Sequence, residues 1–294
     1  MAMLVVALAA SVAGFMAWQQ SLWVRQAENL SNLAQADAIA RAAGHWIQLI
    51  LADGAKRGSA DFQAALLANA LPAVPVEHGE AAIGLVDLQG RYNLNNLVAN
   101  GKVSPNEVAA FRRLLDLLNL SPDLANAIVD WIDADGEPTF PGGAEDADYL
   151  AATPPYRAAN QPMLEIDELA RVKGFDAASL AKLKPFVTAL PAPTTVNLNA
   201  ASAEVLSALL PRLSLIEART FVAARRDRPF KDLDEVHSRY PELETPRERF
   251  ATGGQYYLAT ASAHFDRATV AYQMLLARSS KGGVQLVWQK PVAY

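Results

Sequence analysis

The chain has 294 residues, no cysteine, 26 Lys or Arg against 31 Asp or Glu, and a formal charge of -5. That length allows two domains or one domain with a large insertion, and it excludes a disulfide miniprotein, a thiolate metal site and a cysteine nucleophile. The negative balance argues against a phosphate-backbone partner, while 51% apolar and only 19% charged residues point to a segment that does not sit in water.

That segment is the N-terminus. Met1 to Val24 carries no charged side chain and is dominated by Leu4, Val5, Val6, Leu8, Val12, Phe15, Met16, Trp18, Leu22 and Trp23. At ~1.5 Å per residue such a helix crosses a hydrocarbon core of ~30 Å. Trp18 and Trp23, followed by Arg25, mark the aromatic and charged boundary where it leaves lipid. A cleaved signal peptide is the competing reading, but it needs a basic stretch ahead of a shorter apolar core, and nothing basic precedes this run. Beyond Arg25, Leu33, Ala36, Ala40, Ala43, Ile47 and Ile50 recur at three- and four-residue spacing. One helix of about fifty residues is predicted, half in lipid or a helical assembly and half packed on the following domain. The alanine-rich stripe suits close helix packing; the plain alternative is a bitopic anchor.

After Gly54 a short helical pattern covers Phe62 to Leu71, and Pro72 and Pro75 then open an extended segment. Ile83, Leu85 and Val86 lead into Gln89-Gly90 and out through Tyr92 and Leu94, which reads as a small hairpin. Near the other end, Tyr256 to Phe265, Thr269 to Ala277 and Val284 to Trp288 form an antiparallel meander. The stretch between the two β regions has helical patterning, so the fold class is α+β: a sheet domain behind a long N-terminal helix, carrying a large α-helical insertion. The predicted division is 1–24 for the membrane part of the helix, 25–95 for its remainder and the first strands, 96–250 for the insertion and 251–294 for the last strands. Within the insertion Asn93-Leu94-Asn95 recurs as Asn197-Leu198-Asn199, each Asn placed to cap a following helix. Asp167 to Phe175 and Phe230 to Val236 also resemble one another, so paired short helices are the expected unit.

Seven acids fall between Asp130 and Asp148: Asp130, Asp133, Asp135, Glu137, Glu145, Asp146 and Asp148. No Lys or Arg occurs between Arg113 and Arg157. Crowded carboxylates repel unless a cation sits among them, and Ca2+ accepts an irregular oxygen shell. Gly136, Pro138, Pro141, Gly142 and Gly143 keep the middle irregular, with carbonyls free to ligate. The spacing is not that of an EF-hand, because placing Gly136 at the sixth position puts Trp131 at the first and Gly142 at the twelfth. Asp133, Asp135, Glu145 and Asp148 are the leading candidate ligands; a solvated acidic loop is the plain alternative. His45, His78, His237 and His264 are scattered, and no nucleophile elbow, zinc motif or phosphate loop is present, so an enzyme, as an anchored metal hydrolase, ranks last.

Val196 to Ala201, with Arg225, Arg226 and Phe230 downstream, resembles the helix-hairpin-helix modules of membrane-anchored DNA-uptake proteins. Those modules hold phosphate on a Gly-x-Gly turn, whereas the turn here is Leu210-Pro211-Arg212-Leu213-Ser214 and the other hairpin keeps only Gly174. Seven basic against five acidic residues in 211–240 is a weak balance for binding DNA.

Several segments in order resemble the K-type minor pseudopilins of bacterial type II secretion. These are the uncharged N-terminal helix, Asp87 to Asn95, Asp130-Trp131-Ile132-Asp133-Ala134-Asp135 and Gly143 to Tyr149. Pro155 to Asn160, Asp167 to Phe175 and Val196 to Ala201 follow. The resemblance implies an inner-membrane protein with one span and its globular part in the periplasm, with a pseudopilin sheet and helix-hairpin-helix-like units in the insertion. It also implies a place at the tip of a short fibre with I-type and J-type subunits, contacts with other fibre subunits through the N-terminal helix, and calcium in the acidic loop. No nucleic-acid partner is expected, and contact with secreted proteins stays open. Pseudopilins carry a short basic leader before the apolar helix, which this sequence does not contain. The apolar segment also lacks the acid most pseudopilins place near its start, as the K-type family does.

Overall fold

The structure, a computed structural model, describes residues 2–57, 71–77, 79–279 and 283–292. These fall into two compact units. One comprises 2–57, 71–86 and 258–292; the other runs from Asp87 to Tyr257, wider at both ends than the 96–250 insertion read from the sequence. The helical pattern at Phe62 to Leu71 lies outside the described residues except for Leu71, which opens a strand.

The first unit begins with α1, Ala2–Arg57. Its N-terminal half exposes every side chain, and it is long and apolar enough to cross a membrane. Further along, Ala36, Ala40, Ala43 and Ile47 are buried as the spacing predicts. Leu51 takes the place expected of Ile50, and Leu33 is left exposed. The helix passes through Gly44 because that glycine makes room for a strand side chain: a Cβ there would lie 2.9 Å from Sδ and Cε of Met274.

The sheet beneath has the order β1-β2-β9-β10-β11, with β1 Leu71–Val76, β2 Gly79–Asp87, β9 Tyr256–Phe265, β10 Ala268–Arg278 and β11 Val284–Pro291. The predicted meander is therefore present. β10 and β11 are antiparallel from Tyr272 opposite Pro291 to Arg278 opposite Val284, with a register shift at Leu275/Leu276. Along β9, Tyr257, Ala259, Ala261 and Ala263 alternate inward, as a half-buried strand requires. Ala36 and Ala40 of α1 share a buried cluster with Ala263 and Ala268. Polar ties hold the helix there: the Tyr272 hydroxyl donates to Asp37, and Asn32 Nδ2 donates to Asp266 at 2.8 Å.

In the second unit the hairpin predicted between Ile83 and Leu94 does not form. The Asp87 side chain instead caps a 3-10 turn at Leu88–Gly90, and the next strand, β3 Tyr92–Asn93, pairs in parallel with β6 Val187–Thr188. Tyr92 and Leu94 alternate as a strand's residues do, but a partner so distant in sequence as Val187 leaves no local trace. Between them lie a small hairpin of β4 Val98–Ala99 and β5 Lys102–Val103, then α2 Pro105–Leu117, α3 Leu124–Ile132, α4 Asp146–Leu150, a 3-10 turn Ile166–Arg171 and α5 Ala177–Leu183. A second parallel pair, β7 Val196–Asn197 with β8 Phe250–Ala251, encloses α6 Ala203–Leu209, α7 Leu215–Asp227 and α8 Leu233–Arg239.

The repeated Asn-Leu-Asn triplet meets the predicted capping role at its first copy: Asn93 N-caps the 3-10 turn Leu94–Asn96, its side chain accepting from the Asn95 amide at 3.2 Å. Asn197 makes the same bond to the Asn199 amide at 2.9 Å but only tightens a turn, while α6 is capped by Ser202. The second Asn of each triplet is a two-way clamp. Asn95 donates to the Met163 carbonyl at 2.9 Å and accepts from its amide at 2.8 Å. Asn199 does the same to Phe230 at 2.8 and 2.9 Å. Each also donates to the chain after the closing strand, at Leu190 and Thr252 respectively.

Candidate metal site

α3 is buried along its whole length, including Asn126 and Asp130 one turn apart, so it carries its last turn into the interior. Asp130 there is fully buried, and its Oδ2 accepts from the Thr139 amide at 2.9 Å. Asn126, one turn earlier, donates to the Pro141 carbonyl at 2.7 Å. Residues 139–143 are thus strapped along the helix. Gly143 is required for this approach: a Cβ would stand 2.2 Å from Asp130 Oδ2 and 2.3 Å from the Thr139 carbonyl oxygen. The sequence reading assigned that glycine only an irregular loop; its adjacency to Gly142 was the available signal.

The helix stops at Asp133, which turns extended. One carboxylate oxygen from each of Asp133, Asp135 and Glu145 lies within 4.8 Å of the others. Asp133 and Glu145 are buried and Asp135 is exposed. Asp130 Oδ1, Asp133 Oδ1 and both Glu145 oxygens are buried without a hydrogen-bond partner among the described residues. Burial, followed by the charges of Asp135 and Asp130, pushes the Asp133 carboxyl up to about 6. Burial, followed by Asp130, Asp133, Asp135 and Asp146, pushes Glu145 up to about 7. A group of acids that resists its own ionisation and lacks donors is what a hard cation relieves.

The remaining candidates point elsewhere. Asp146 accepts from the Ala158 amide at 3.1 Å and faces Arg157 at 3.4 Å. Asp148 pairs with Lys173 at 2.7 Å and accepts from the Glu145 amide at 3.3 Å. Glu137 is exposed, its amide held by Asp135. The structure therefore brings together three of the four leading candidates, with Asp130 close enough to perturb Asp133 and Glu145. The far side of the loop is held by aromatic contacts not anticipated from the sequence: Trp131 packs against Tyr149 and Tyr156 at 5.2 and 6.4 Å.

The turn 210–214 joins α6 to α7 as the hairpin reading expected, but its donors are spoken for. Ser214 caps α7, and its amide and hydroxyl both donate to Glu217, at 2.8 and 2.7 Å. At the other hairpin Asp176 accepts from the Ser179 amide at 2.7 Å. Arg225 is buried and donates to the carbonyls of Leu198 and Ala201, and burial pulls its pKa down to about 10.

The family model described as type II secretion system (T2SS), protein K matches in two parts, residues 90–192 and 196–253, which bracket the two strand-closed halves. A type II secretion system protein K from Pseudomonas aeruginosa PAO1 is 30% identical over 97% of this chain and 89% of its own length. The chain belongs to the type II secretion system protein K family. It is a K-type minor pseudopilin. The Klebsiella pneumoniae protein K is 32% identical over 70% of this chain and 68% of its own length. The crystal structure of the GspK-GspI-GspJ complex from enterotoxigenic Escherichia coli contains a chain that superposes with a TM-score of 0.65 at 21% identity. That match covers 96% of this chain and 99% of the other, and it extends to the whole fold: long apolar helix, antiparallel sheet and helical insertion.

Proposed function

We propose that this pseudopilin is a non-enzymatic subunit that initiates or caps the type II secretion fibre, anchored in the bacterial inner membrane by residues 1–24 with its globular part in the periplasm. The observation that carries the reading is α1: one uninterrupted helix, apolar and exposed where it leaves the protein, buried by an alanine stripe where it joins the sheet. Such a rod delivers a folded head to the end of a helical bundle or a bilayer. A unit as large as Asp87–Tyr257 on one subunit fits an end position, where nothing stacks above it. I-type and J-type pseudopilins are the expected partners, because the related E. coli chain was crystallised with GspI and GspJ. Other fibre subunits would meet the exposed half of α1.

The acidic pocket fits calcium. Asp133, Asp135 and Glu145 would supply the side-chain oxygens, with Asp130 beneath them as a further buried charge; Glu137, Asp146 and Asp148 frame the loop. Mg2+ dehydrates reluctantly and suits such an irregular oxygen cage poorly. The ion's role is structural: it offsets the repulsion among grouped carboxylates that no nitrogen ligand accompanies. DNA binding is disfavoured: the α7 cap, the Asp176 cap and buried Arg225 use internally the groups that would meet phosphate.

Co-expression of the full chain with I-type and J-type pseudopilins in detergent should yield a stable complex, and its absence would overturn the assembly reading. Val12→Asp should remove the protein from the membrane fraction, since a mid-bilayer charge costs ~2.5 kcal/mol or more. Calorimetry showing no heat with calcium, together with melting indifferent to chelator, would sink the metal reading.

A further inference from the structure

The helical unit is built twice, and the two copies differ most in one place. Each half opens on a two-residue strand, closes on a parallel partner, and clamps an intervening segment with the second Asn of its triplet. In the second half 31 positions separate Asn199 from the clamped Phe230. In the first, 68 separate Asn95 from Met163. α2 and α3 precede the surplus as α6 and α7 precede Phe230, so most of the extra chain lies between the end of α3 and Met163, with a smaller part in the β4–β5 hairpin and the longer α2. That stretch supplies Asp135 and Glu145 to the acidic pocket, which Asp130 on α3 and Asp133 at its end complete.

Both ends of the stretch are fixed by the core. Asp133 N–H still bonds to the Val129 carbonyl at 2.9 Å, and Met163 is held through both backbone groups by buried Asn95. Between those points the loop is held by Thr139 on Asp130, Pro141 on Asn126, Asn160 N–H on the Trp131 carbonyl at 3.0 Å, Asp148 with Lys173 at 2.7 Å, the Tyr156 hydroxyl donating to the Arg171 carbonyl at 2.8 Å, and the Trp131 ring against Tyr149 and Tyr156, with Ala144 and Tyr149 buried. Against them stand the crowded carboxylates with unpartnered oxygens. The second half shows that strand pair, two helices and amide clamp close a core with no such loop.

We propose that residues 134–162 are an insertion into the first of two structurally repeated halves, and that losing the cation opens this loop as a unit while both halves of the helical core stay folded. The opening rests on the metal reading above; the insertion does not. The full chain in detergent, followed by hydrogen-exchange mass spectrometry with calcium and then with excess chelator, tests the opening. Exchange should accelerate at least tenfold within 134–162 and stay within about twofold in α2, α3, α6 and α7. Loss of protection in all four helices would overturn the proposal, as would an unchanged loop in a chain that gives a calcium binding heat. An unchanged loop without such a heat would instead retire the metal reading and, with it, the opening. A full chain with 134–162 replaced by a short Gly-Ser linker tests the insertion separately. It should keep its helical circular dichroism and melt cooperatively, at a lower temperature because Trp131 loses its cover, and loss of the cooperative transition would overturn the insertion.

Discussion

Where α1 lies on the sheet, the buried cluster is Ala36, Ala40, Ala263 and Ala268, whereas the helical unit is filled by Phe111, Trp131, Phe221, Phe230 and Phe250. Small side chains let a long helix approach the strands closely, so contact extends over many turns with little volume at each. The helical unit has only short helices, none able to hold its shape alone, and it gains cohesion from large rings packed together. The two units should therefore respond to changes of volume in opposite directions: one is harmed by truncation, the other by enlargement.

The largest effect is expected from truncation in the helical unit. Phe221, packed against Phe230 at 5.1 Å and Tyr240 at 4.9 Å, should cost ~3–5 kcal/mol as Phe221→Ala in chemical denaturation. A loss below ~1 kcal/mol would show that the aromatic cluster is not the source of cohesion. Next comes the ion, which adds a cohesion specific to the loop. At a free level of ~100 times its dissociation constant calcium should add ~2.7 kcal/mol if the unfolded chain does not bind it. The pH dependence carries a definite sign. Asp133 and Glu145 have folded pKa values raised to about 6 and about 7, so they favour the ion-free fold below their ordinary range. That contribution is lost as pH climbs through 6 to 7. The ion-free melting temperature should thus fall between pH 5 and pH 8, and the gain on adding calcium should be greater at pH 8. A calcium gain larger at pH 5 would contradict the assignment of these two carboxylates.

Enlargement in the sheet unit should come third. Ala40→Leu, at a fully buried position, should cost ~1–3 kcal/mol through overpacking, while the same change at exposed Ala34 should stay within ~0.5 kcal/mol. Equal effects at the two sites would mean that α1 is not seated through its alanine stripe. The smallest effect concerns the α7 cap: Ser214→Ala should cost ~1 kcal/mol in denaturation. With Glu217 changed to Gln as well, fluorescence anisotropy should still detect no duplex DNA binding, since Arg225 remains buried. Salt-sensitive micromolar binding by that double variant would revive the helix-hairpin-helix reading.

Much of this was legible in the sequence wherever a short-range rule applied. The span of α1, the edges of β9, the turn breakers, and the concentration of acid between Asp130 and Asp148 are properties of neighbouring residues, and hydrophobic period, Gly and Pro placement and like-charge crowding read them directly. The order of family-like segments needed nothing beyond one dimension either. Other features depended on residues far apart in the chain. Tyr92 finds its strand partner at Val187, so a run that looked like a hairpin became half of a parallel closure. Gly44 has no side chain to announce a contact, yet it receives Met274. Arg225 looked like a phosphate contact and instead satisfies carbonyls in the core. Among seven acids of similar sequence character, only the straps from Asp130 and Asn126 and the pairing of Asp148 with Lys173 decide which three face one another. Composition and local spacing determine how much charge and apolar surface a segment carries. Which of those groups meet is decided by long-range packing, because burial and partnership are properties of the space between elements.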